Sequence, residues 1–288
     1  MRIWYQKPIR LSRPTLSEYK SVETFFSANF EGGYPVLVSS ARAAIAILLG
    51  LFWTTKTIKI FKYASQCVVK ACTLSGISPV SSLRQEEDIV YHQWGYPVDR
   101  NTKEVFIEDA CDSFKRLGSK VLTLESRFEI WSLSKILGLR FGAIIWCRDK
   151  QDAQEIFKIR NSKPTSFLKI ALNSLKKFNV TIYNQWENLE LTNCSLSKFQ
   201  IGAINKEVLG WENLFNFRQD RLNLKISVIK QLGYTGGFEL QDDLLRRTVL
   251  PTVLIGTQEL KNFTDNTLLR HRINVENAPY PVRIYPAW

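Results

Sequence analysis

Histidine is scarce in this sequence, and its scarcity limits the chemistry available to the protein. Only two histidines, His92 and His271, occur among 288 residues. A metal site built from several histidines is therefore excluded, and a Ser-His-Asp triad could draw only on these two. We expect no metal in the functional site.

Cysteine is also sparse, and its pattern argues against disulfides. Five cysteines occur, an odd number, with no Cys-x-x-Cys pair, at positions 67, 72, 111, 147 and 194. Several lie in apolar segments, so we expect buried free thiols. Cys67 and Cys72 are expected to line a buried helix face rather than to bind anything.

No apolar run is long enough to span a membrane. The longest, residues 43–53, is about half the roughly 20 residues that a membrane-spanning helix needs. The amino terminus carries Arg2, Lys7 and Arg10 among polar residues and lacks the apolar run of a secretory signal. These features predict a cytoplasmic protein with no membrane partner.

The charge is strongly positive, at +12 from 39 basic and 27 acidic side chains. The excess is spread along the chain, so nucleic acid, an anionic membrane surface and a phosphate-bearing small substrate all fit the composition. No nucleic-acid-binding motif and no basic-aromatic interleaving is present, and we expect no nucleic acid partner. A hydrophobic content of 45% suits a folded protein with one large domain, or one large and one small.

Short β-rich runs alternate with helical segments between residues 34 and 147. Strands are expected at 35–39, 57–63, 88–91, 105–108, 128–132 and 143–147. Helices are expected at 41–52, after the capping residue Ser40, and at 67–74, before Gly76. This alternation predicts an α/β fold with a mostly parallel sheet covered by helices.

The pattern becomes more helical beyond residue 149. Helices are expected at 151–160, 166–178 and 212–232, and a glycine-rich loop at 233–237 precedes a strand candidate at 252–255. We assign residues 1–185 to a large domain and residues 186–288 to a small C-terminal domain.

Two chemically complementary side chains follow predicted strands. Asp109 comes at the end of strand 105–108, and strand 128–132 leads into Lys135. In open α/β sheets the carboxyl ends of the strands are where ligands bind. An aldehyde cofactor such as pyridoxal 5'-phosphate (PLP) needs an amine that forms a Schiff base and a carboxylate that keeps its pyridine nitrogen protonated.

The phosphate of such a cofactor needs backbone N–H groups at a helix amino terminus together with a hydroxyl group. Ser40, Ala41 and Arg42, at a strand-to-helix junction, fit this need, as does Ser132. A lysine is more commonly a solvated surface charge, and Ser-Leu-Ser-Lys occurs again at 195–198. Only Lys135 follows an apolar strand downstream of a strand-end aspartate.

Five blocks of the sequence, in this order, are similar to motifs of the DegT-like family of PLP-dependent sugar aminotransferases: Ser-Ala-Arg-Ala-Ala-Ile (40–45), Gly-Ile-Ser-Pro-Val (76–80), His-Gln-Trp-Gly-Tyr-Pro (92–97), Ile-Glu-Asp-Ala (107–110) and Ser-Leu-Ser-Lys (132–135). The family's first block, Ser-Gly-Arg/Thr-Ala-Ala-Leu, holds the cofactor phosphate. Its Ile-Glu-Asp-Ala block contacts the pyridine nitrogen through the aspartate.

The resemblance implies a fold, an activity and an assembly. The fold would be the aspartate aminotransferase-like one, with a three-layer α/β/α large domain and an abbreviated C-terminal α+β domain. Lys135 would form the internal aldimine, and Asp109 would hold the pyridine nitrogen. The reaction would transfer an amino group from an amino-acid donor such as glutamate to a keto sugar, nucleotide-linked, in a homodimer.

The chain departs from the family pattern at several positions. Ala41 replaces a glycine, and Asp112 stands where a glutamine or histidine approaches the cofactor ring. Tyr63 is the nearest candidate for the aromatic residue that stacks on the ring. The second interpretation is accordingly a non-catalytic or regulatory descendant of the same fold.

Four residues have a structural interpretation, either as an alternative to a functional one or alone. Arg42 could anchor phosphate or substrate, or form a structural ion pair. His92 could touch substrate, but a structural hydrogen bond that shapes the turn at 95–97 is favoured. Trp94 and Trp131, flanked by apolar residues, are expected in the core.

Overall fold

The computed structural model describes residues 16–61, 64–82, 86–92, 104–162, 165, 167–176 and 179–231, and the backbone of four short strands between residues 247 and 286. Within these ranges, no helix is both long and apolar enough to cross a membrane. Of the predicted site residues, Tyr63 lies outside the described ranges, as do Trp94 and the turn at 95–97.

Helices and strands alternate in the first half of the chain: α1 (Leu16–Asn29), β1 (Tyr34–Val38), α2 (Ala41–Phe52), β2 (Thr57–Phe61), α3 (Gln66–Leu74), β3 (Ser78–Ser82), β4 (Ile89–Tyr91), β5 (Ile107–Asp109), β6 (Ser113–Phe114), β7 (Phe128–Trp131), α4 (Leu133–Ile136) and β8 (Ala143–Cys147). Helices then dominate: α5 (Lys150–Ser162), α6 (Phe167–Leu175), α7 (Val180–Thr192), α8 (Lys198–Val208) and α9 (Trp211–Gln231). Four short strands follow: β9 (Arg247–Thr248), β10 (Val253–Ile255), β11 (Leu269–Arg272) and β12 (Val282–Pro286).

Seven strands form one sheet in the order β1-β8-β7-β5-β4-β2-β3. β8 runs antiparallel to both of its neighbours, and the other strands are parallel to one another. The prediction of a mostly parallel sheet is confirmed. Consequently β1, β4, β5 and β7 all end at the same edge of the sheet, although they are far apart in the sequence.

The side chains of β8 show how the sheet supports two cores. Its five residues are all buried, as expected for a strand covered on both faces. Ala143, Ile145 and Cys147 pack into one core together with helices α2, α3 and α5, whereas Ile144 and Trp146 pack into a second core with α1, α8 and α9. The three-layer α/β/α arrangement follows from this alternation.

Helix α2 begins where the sequence indicates. Ser40 is its N-cap, and the Ser40 side chain accepts a hydrogen bond from the backbone of Ala43 at 3.2 Å. The residues that follow are apolar and largely buried, including Leu48, which is fully buried. Burying one leucine side chain stabilises the fold by about 1.5 to 3 kcal/mol, so packing fixes this helix more firmly than its cap does.

An aromatic cluster fills the second core. The ring of Phe26 meets Trp131, Trp146 and Trp211 edge to face, with centroids 5.4 to 6.2 Å apart. Trp131 is 1% exposed, which confirms its predicted place in the core. Since Trp131 ends β7, this packing also fixes the start of the segment that carries Lys135.

Some predicted elements differ from those in the structure. The strand expected at 105–108 is displaced to Ile107–Asp109, so Asp109 is the last residue of β5. Strand β3 was not predicted from periodicity, because it is a short edge strand with mostly exposed residues and lacks an apolar run. Helices α1, α7 and α8 were not predicted either.

The proposed domain boundary falls within a helix. Residues 185 and 186 both lie in α7. The described strands beyond residue 246 form a three-stranded sheet, β10-β12-β11, and a short β6-β9 ladder that pairs Ser113 with Thr248. The division into domains 1–185 and 186–288 stays a prediction.

Candidate active site

A cavity of about 190 Å³ lies against the edge where the parallel strands end. Six of the residues predicted for the functional site line it: Ser40, Ala41, Arg42, Asp109, Ser132 and Lys135. Asp112 contacts Lys135 and so belongs to the same site. Three strand-to-helix or strand-to-loop junctions, after β1, β5 and β7, therefore converge on one space.

Lys135 lies in the short helix α4, directly after β7. Its Nζ donates a hydrogen bond to Asp112 Oδ1 at 2.8 Å, and 48% of its side chain is exposed. Burial of the ammonium lowers the pKa of Lys135, but the charge and hydrogen bond of Asp112 outweigh this effect and leave the pKa raised. The lysine is thus held as a cation, and its amine becomes nucleophilic only when the proton is removed.

Tyr91 fixes the orientation of Asp112. Its hydroxyl donates a hydrogen bond to Asp112 Oδ2, while Lys135 donates to Oδ1. Burial and the neighbouring charge of Asp112 raise the pKa of Tyr91 well above its ordinary value, so the phenol stays protonated as a donor. We had not predicted Tyr91 from the sequence, although its place at the end of the strand expected at 88–91 is the signal that could have indicated it.

Asp109 is a buried carboxylate that faces the cavity. It is 3% exposed, and its Oδ1 accepts a hydrogen bond from the backbone of Cys111 at 3.1 Å. Burial raises the pKa of Asp109, and hydrogen bonding by Cys111 and the charge of Lys135 partly offset that rise. Such a carboxylate is poised to pair with a protonated nitrogen of a bound molecule.

The amino-terminal end of α2 forms another wall of the cavity. Ser40 and Ala41 begin this helix, whose first backbone N–H groups have no partner within the helix. Ser132 occupies the N-cap position of α4, where its hydroxyl lies 2.9 Å from that of Ser134 and makes no capping hydrogen bond. Backbone amides and hydroxyls in this arrangement suit a phosphate group.

Arg42, in the first turn of α2, forms an ion pair with a residue of helix α7. Its Nη1 lies 2.9 Å from Glu187 Oε1, and its guanidinium stacks near the rings of Tyr183 and Trp186. Lys70 binds the other oxygen of Glu187 at 2.8 Å. The ion pair that one interpretation of Arg42 expects is present, while its assignment to a phosphate or substrate stays a prediction, since Arg42 also lines the cavity.

The second Ser-Leu-Ser-Lys segment lies elsewhere. Lys198 begins α8 behind a capping box formed by Ser197 and Gln200, and its ammonium pairs with Glu18 at 2.9 Å. It does not line the cavity. The sequence Ser-Leu-Ser-Lys thus has a structural role at 195–198 and lies beside the cavity at 132–135.

His92 makes a structural hydrogen bond. Its Nε2 lies 2.9 Å from Glu108 Oε1, and both side chains are buried. Glu108 also accepts hydrogen bonds from Thr123, Leu124 and Ser126. His92 thus makes a structural hydrogen bond within the sheet, but its predicted role in shaping the turn at 95–97 stays a prediction, because that turn lies outside the described residues.

All five cysteines are free thiols, as predicted. Cys67 and Cys72 were expected on a buried helix face, which holds for Cys72 on α3. Cys67 is only partly buried and lines the cavity, as does Cys111. Two cations that we had not predicted, Arg140 and Lys176, also line it.

The chain matches the model of a family described as "Putative PLP-dependent aminotransferase" over residues 22–234. No curated protein matches the sequence significantly. A Bacillus cereus ATCC 10987 structure with the same description superposes with a TM-score of 0.62 at 14% identity, covering 97% of this chain and 94% of that one.

Two further solved structures share the fold. DesV of S. venezuelae, in complex with a ketimine intermediate, gives a TM-score of 0.60 at 17% identity and covers 93% of this chain and 83% of its own. A DegT DnrJ EryC1 StrS aminotransferase from Brucella abortus superposes with a TM-score of 0.56 at 12% identity. The match covers 84% of this chain and 71% of that one. The predicted resemblance to DegT-like aminotransferases and the aspartate aminotransferase-like fold are confirmed.

Proposed function

Because this chain belongs to a family of PLP-dependent aminotransferases, we propose that it transfers an amino group from an amino acid to a keto sugar, with Lys135 as the residue that binds the cofactor. The observation that carries the proposal is that Lys135 and Asp109, from neighbouring strands, line the same cavity. They supply the two groups that the cofactor requires.

The residues of the cavity fit PLP. Its walls offer an amine, a buried carboxylate, hydroxyls and the amino terminus of α2. Lys135 would hold the aldehyde carbon of the cofactor on Nζ, and Asp109 would pair with the pyridine nitrogen. Ser40, Ala41 and Ser132 would hold the phosphate, while Arg42 would support this wall through its ion pair with Glu187.

When bound, PLP supplies an electron-accepting ring that weakens bonds at the substrate carbon. Asp109 would sustain this property by keeping a proton on the ring nitrogen. A buried carboxylate is suited to the task, because its pairing with a cation is not screened by water.

Lys135 would move the proton that amino-group transfer requires, and Asp112 would govern its availability. The amine at Nζ must lose a proton before it can bind an aldehyde or act as a general base. Asp112 Oδ1 lies 2.8 Å from that nitrogen and would favour its protonated form, so it would restrain the release of this proton. Tyr91 would keep the carboxylate oriented, so these three side chains would act as one unit.

The keto sugar is proposed to be linked to a nucleotide, with glutamate as a suitable donor. The resemblance to the DegT-like sugar aminotransferases supports this substrate class, and the net charge of +12 suits a diphosphate-bearing molecule. We also propose a homodimer, the assembly that the same resemblance implies. The free thiols are consistent with the proposed cytoplasmic location, where thiols stay reduced.

The test begins with the absorbance spectrum of the protein purified in the presence of PLP. A visible band that is present in the wild type and lost in Lys135→Ala supports the proposal, and a spectral change on adding glutamate supports the donor. Lys198→Ala, in the second copy of the motif, is the matched control and should keep the band. If no band forms in the wild type, the non-catalytic alternative replaces the proposed function.

A further inference from the structure

Helix α9 carries an arginine that contacts the short helix of Lys135. Arg218 Nη2 donates a hydrogen bond to the backbone oxygen of Lys135 at 3.3 Å and another to the backbone oxygen of Ile136. These two residues end helix α4, and the last carbonyl groups of a helix have no partner within the helix. A cation is also favoured at the carboxyl end of a helix, where the backbone dipoles leave partial negative charge. Arg218 thus caps the helix that carries Lys135.

The aromatic core fixes the position of Arg218 on α9. Phe215, one turn before it, and Trp211, two turns before it, are both buried. Positions 211, 215 and 218 have the spacing of residues that share one helix face. The rings of Trp211 and Phe215 meet Phe114 edge to face, with centroids 4.9 and 5.4 Å away. A packed helix therefore brings the guanidinium to α4.

The same guanidinium lies over the ring of Phe114, with 5.2 Å between Cζ and the ring centroid. Phe114 is fully buried and comes two residues after Asp112. Arg218 consequently contacts both of the segments whose side chains meet in the 2.8 Å hydrogen bond between Lys135 Nζ and Asp112 Oδ1. Burial lowers the pKa of Arg218 to about 10, so the guanidinium is still a cation at neutral pH.

We infer that Arg218 is a positioning residue that holds Lys135 Nζ against Asp112. The start of α4 is held by Ser134, whose backbone N–H donates a hydrogen bond to Gly142 O at 3.1 Å. Arg218 holds the other end, and a helix of four residues has too few internal hydrogen bonds to be stable alone. Movement of that end would take Lys135 away from Asp112 and weaken a hydrogen bond that favours the protonated amine. The consequence for catalysis rests on the proposed function, whereas the effect on Lys135 itself does not.

The test is a double-mutant cycle of Arg218→Gln and Asp112→Gln on the cofactor-free protein. Peptide mapping measures how fast acetic anhydride modifies Lys135 at one fixed pH, relative to the exposed Lys206. Below the pKa of the lysine this rate follows the fraction of unprotonated amine. Arg218→Gln should raise the rate roughly three- to tenfold. It should raise the rate no further in the Asp112→Gln background, because the hydrogen bond that Arg218 maintains is already absent.

Other roles for Arg218 give different results in this cycle. Loss of a cation without a change in geometry would favour the protonated amine and lower the rate. General loosening of the site would raise the rate equally in both Asp112 backgrounds. Either of these results, or an unchanged rate, overturns the inference. Arg116→Gln is the control, since it removes an exposed contact of 3.2 Å with Glu212 of the same helix, and it should leave the rate unchanged.

Melting temperatures verify that each variant is folded. If Arg218→Gln does not fold, the cycle uses Arg218→Lys, which keeps the charge but not the planar fork of donors and should give a smaller rise in the same direction.

The PLP-loaded protein gives a second readout. Arg218→Gln should shift the titration of the visible band to lower pH, and the double variant should shift it no further than Asp112→Gln does. If the wild type forms no band with PLP, the proposed function fails, but the acylation rates of the cofactor-free protein still test the role of Arg218.

Discussion

Lys135 Nζ lies 2.8 Å from Asp112 Oδ1, and the other oxygen of the same carboxylate accepts a hydrogen bond from Tyr91. The family pattern has a neutral or basic side chain where this chain has Asp112. A negative charge here favours any positively charged form of the lysine nitrogen. The proton affinity of Lys135 is therefore the property in which this protein should differ most from its relatives.

Replacing Asp112 with glutamine should shift the pH titration of the visible cofactor band to lower pH, because one negative charge beside Nζ is lost. Turnover should persist or rise. The measurement is an absorbance titration of both proteins. Tyr91→Phe keeps the charge and should shift the titration less, whereas identical titrations of Asp112→Gln and wild type would place Asp112 outside the electrostatic reach of the cofactor.

Borohydride reduction of the PLP-loaded protein, followed by peptide mapping, should place the pyridoxyl adduct on Lys135. This lysine lines the cavity together with Asp109 and follows β7, the strand next to the one that Asp109 ends. Lys198, which pairs with Glu18 at the protein surface, should carry none. An adduct on another lysine, or on none, would remove Lys135 from its proposed role.

Asp109→Asn should abolish most turnover without destabilising the cofactor-free protein at neutral pH. Burial raises the pKa of Asp109 above its unfolded value. Its contribution to stability is therefore complete below the unfolded pKa and is lost as pH rises through the folded pKa. A neutral asparagine escapes that loss. Melting temperatures and steady-state turnover check the two halves of the prediction, and unchanged turnover would contradict it.

Glu187→Gln should lower the free energy of unfolding by about 1 to 3 kcal/mol, because Arg42 then lacks its carboxylate partner. The Glu187 side chain is 4% exposed and that of Arg42 is 24% exposed, so solvent screens this pair little. Glu155→Gln breaks an exposed pair with Lys158 and should change stability by less than about 1 kcal/mol. Denaturant titrations compare the two, and equal effects would contradict the structural role of the Arg42 pair.

Gly142→Ala should destabilise the protein by at least about 1 to 2 kcal/mol. Gly142 has a φ of +97°, and a Cβ there would lie 2.9 Å from Ile204 Cδ1 and 3.3 Å from Leu133 Cβ. Gly50 provides the matched control, since a Cβ there meets nothing within 4 Å. Gly50→Ala should stabilise helix α2 by about 0.5 to 1 kcal/mol. Thermal unfolding of both variants measures the two effects, and equal effects would contradict the packing described for Gly142.

Local signals determined much of the framework from sequence alone. The helix at 41–52 and the strand at 143–147 have the predicted limits, because a capping serine, an apolar helical run and a β-rich apolar segment are encoded by adjacent residues. Lys135 and Asp109 could be proposed for the same reason, since each directly follows a strand-like run. The resemblance to known motifs then supplied the cofactor.

Only the tertiary structure decided which side chains meet. Tyr91, Asp112 and Lys135 come together because β4, β5 and β7 are neighbours in the sheet, and strand order depends on long-range packing rather than on any local pattern. Long-range packing likewise explains why the ion pair of Arg42 was not predicted, because its partner Glu187 lies on α7. It also explains why Arg140 and Lys176 were not predicted to line the cavity. A sequence can place a charge at the end of an element, but the partner of that charge is determined by the packing of distant elements.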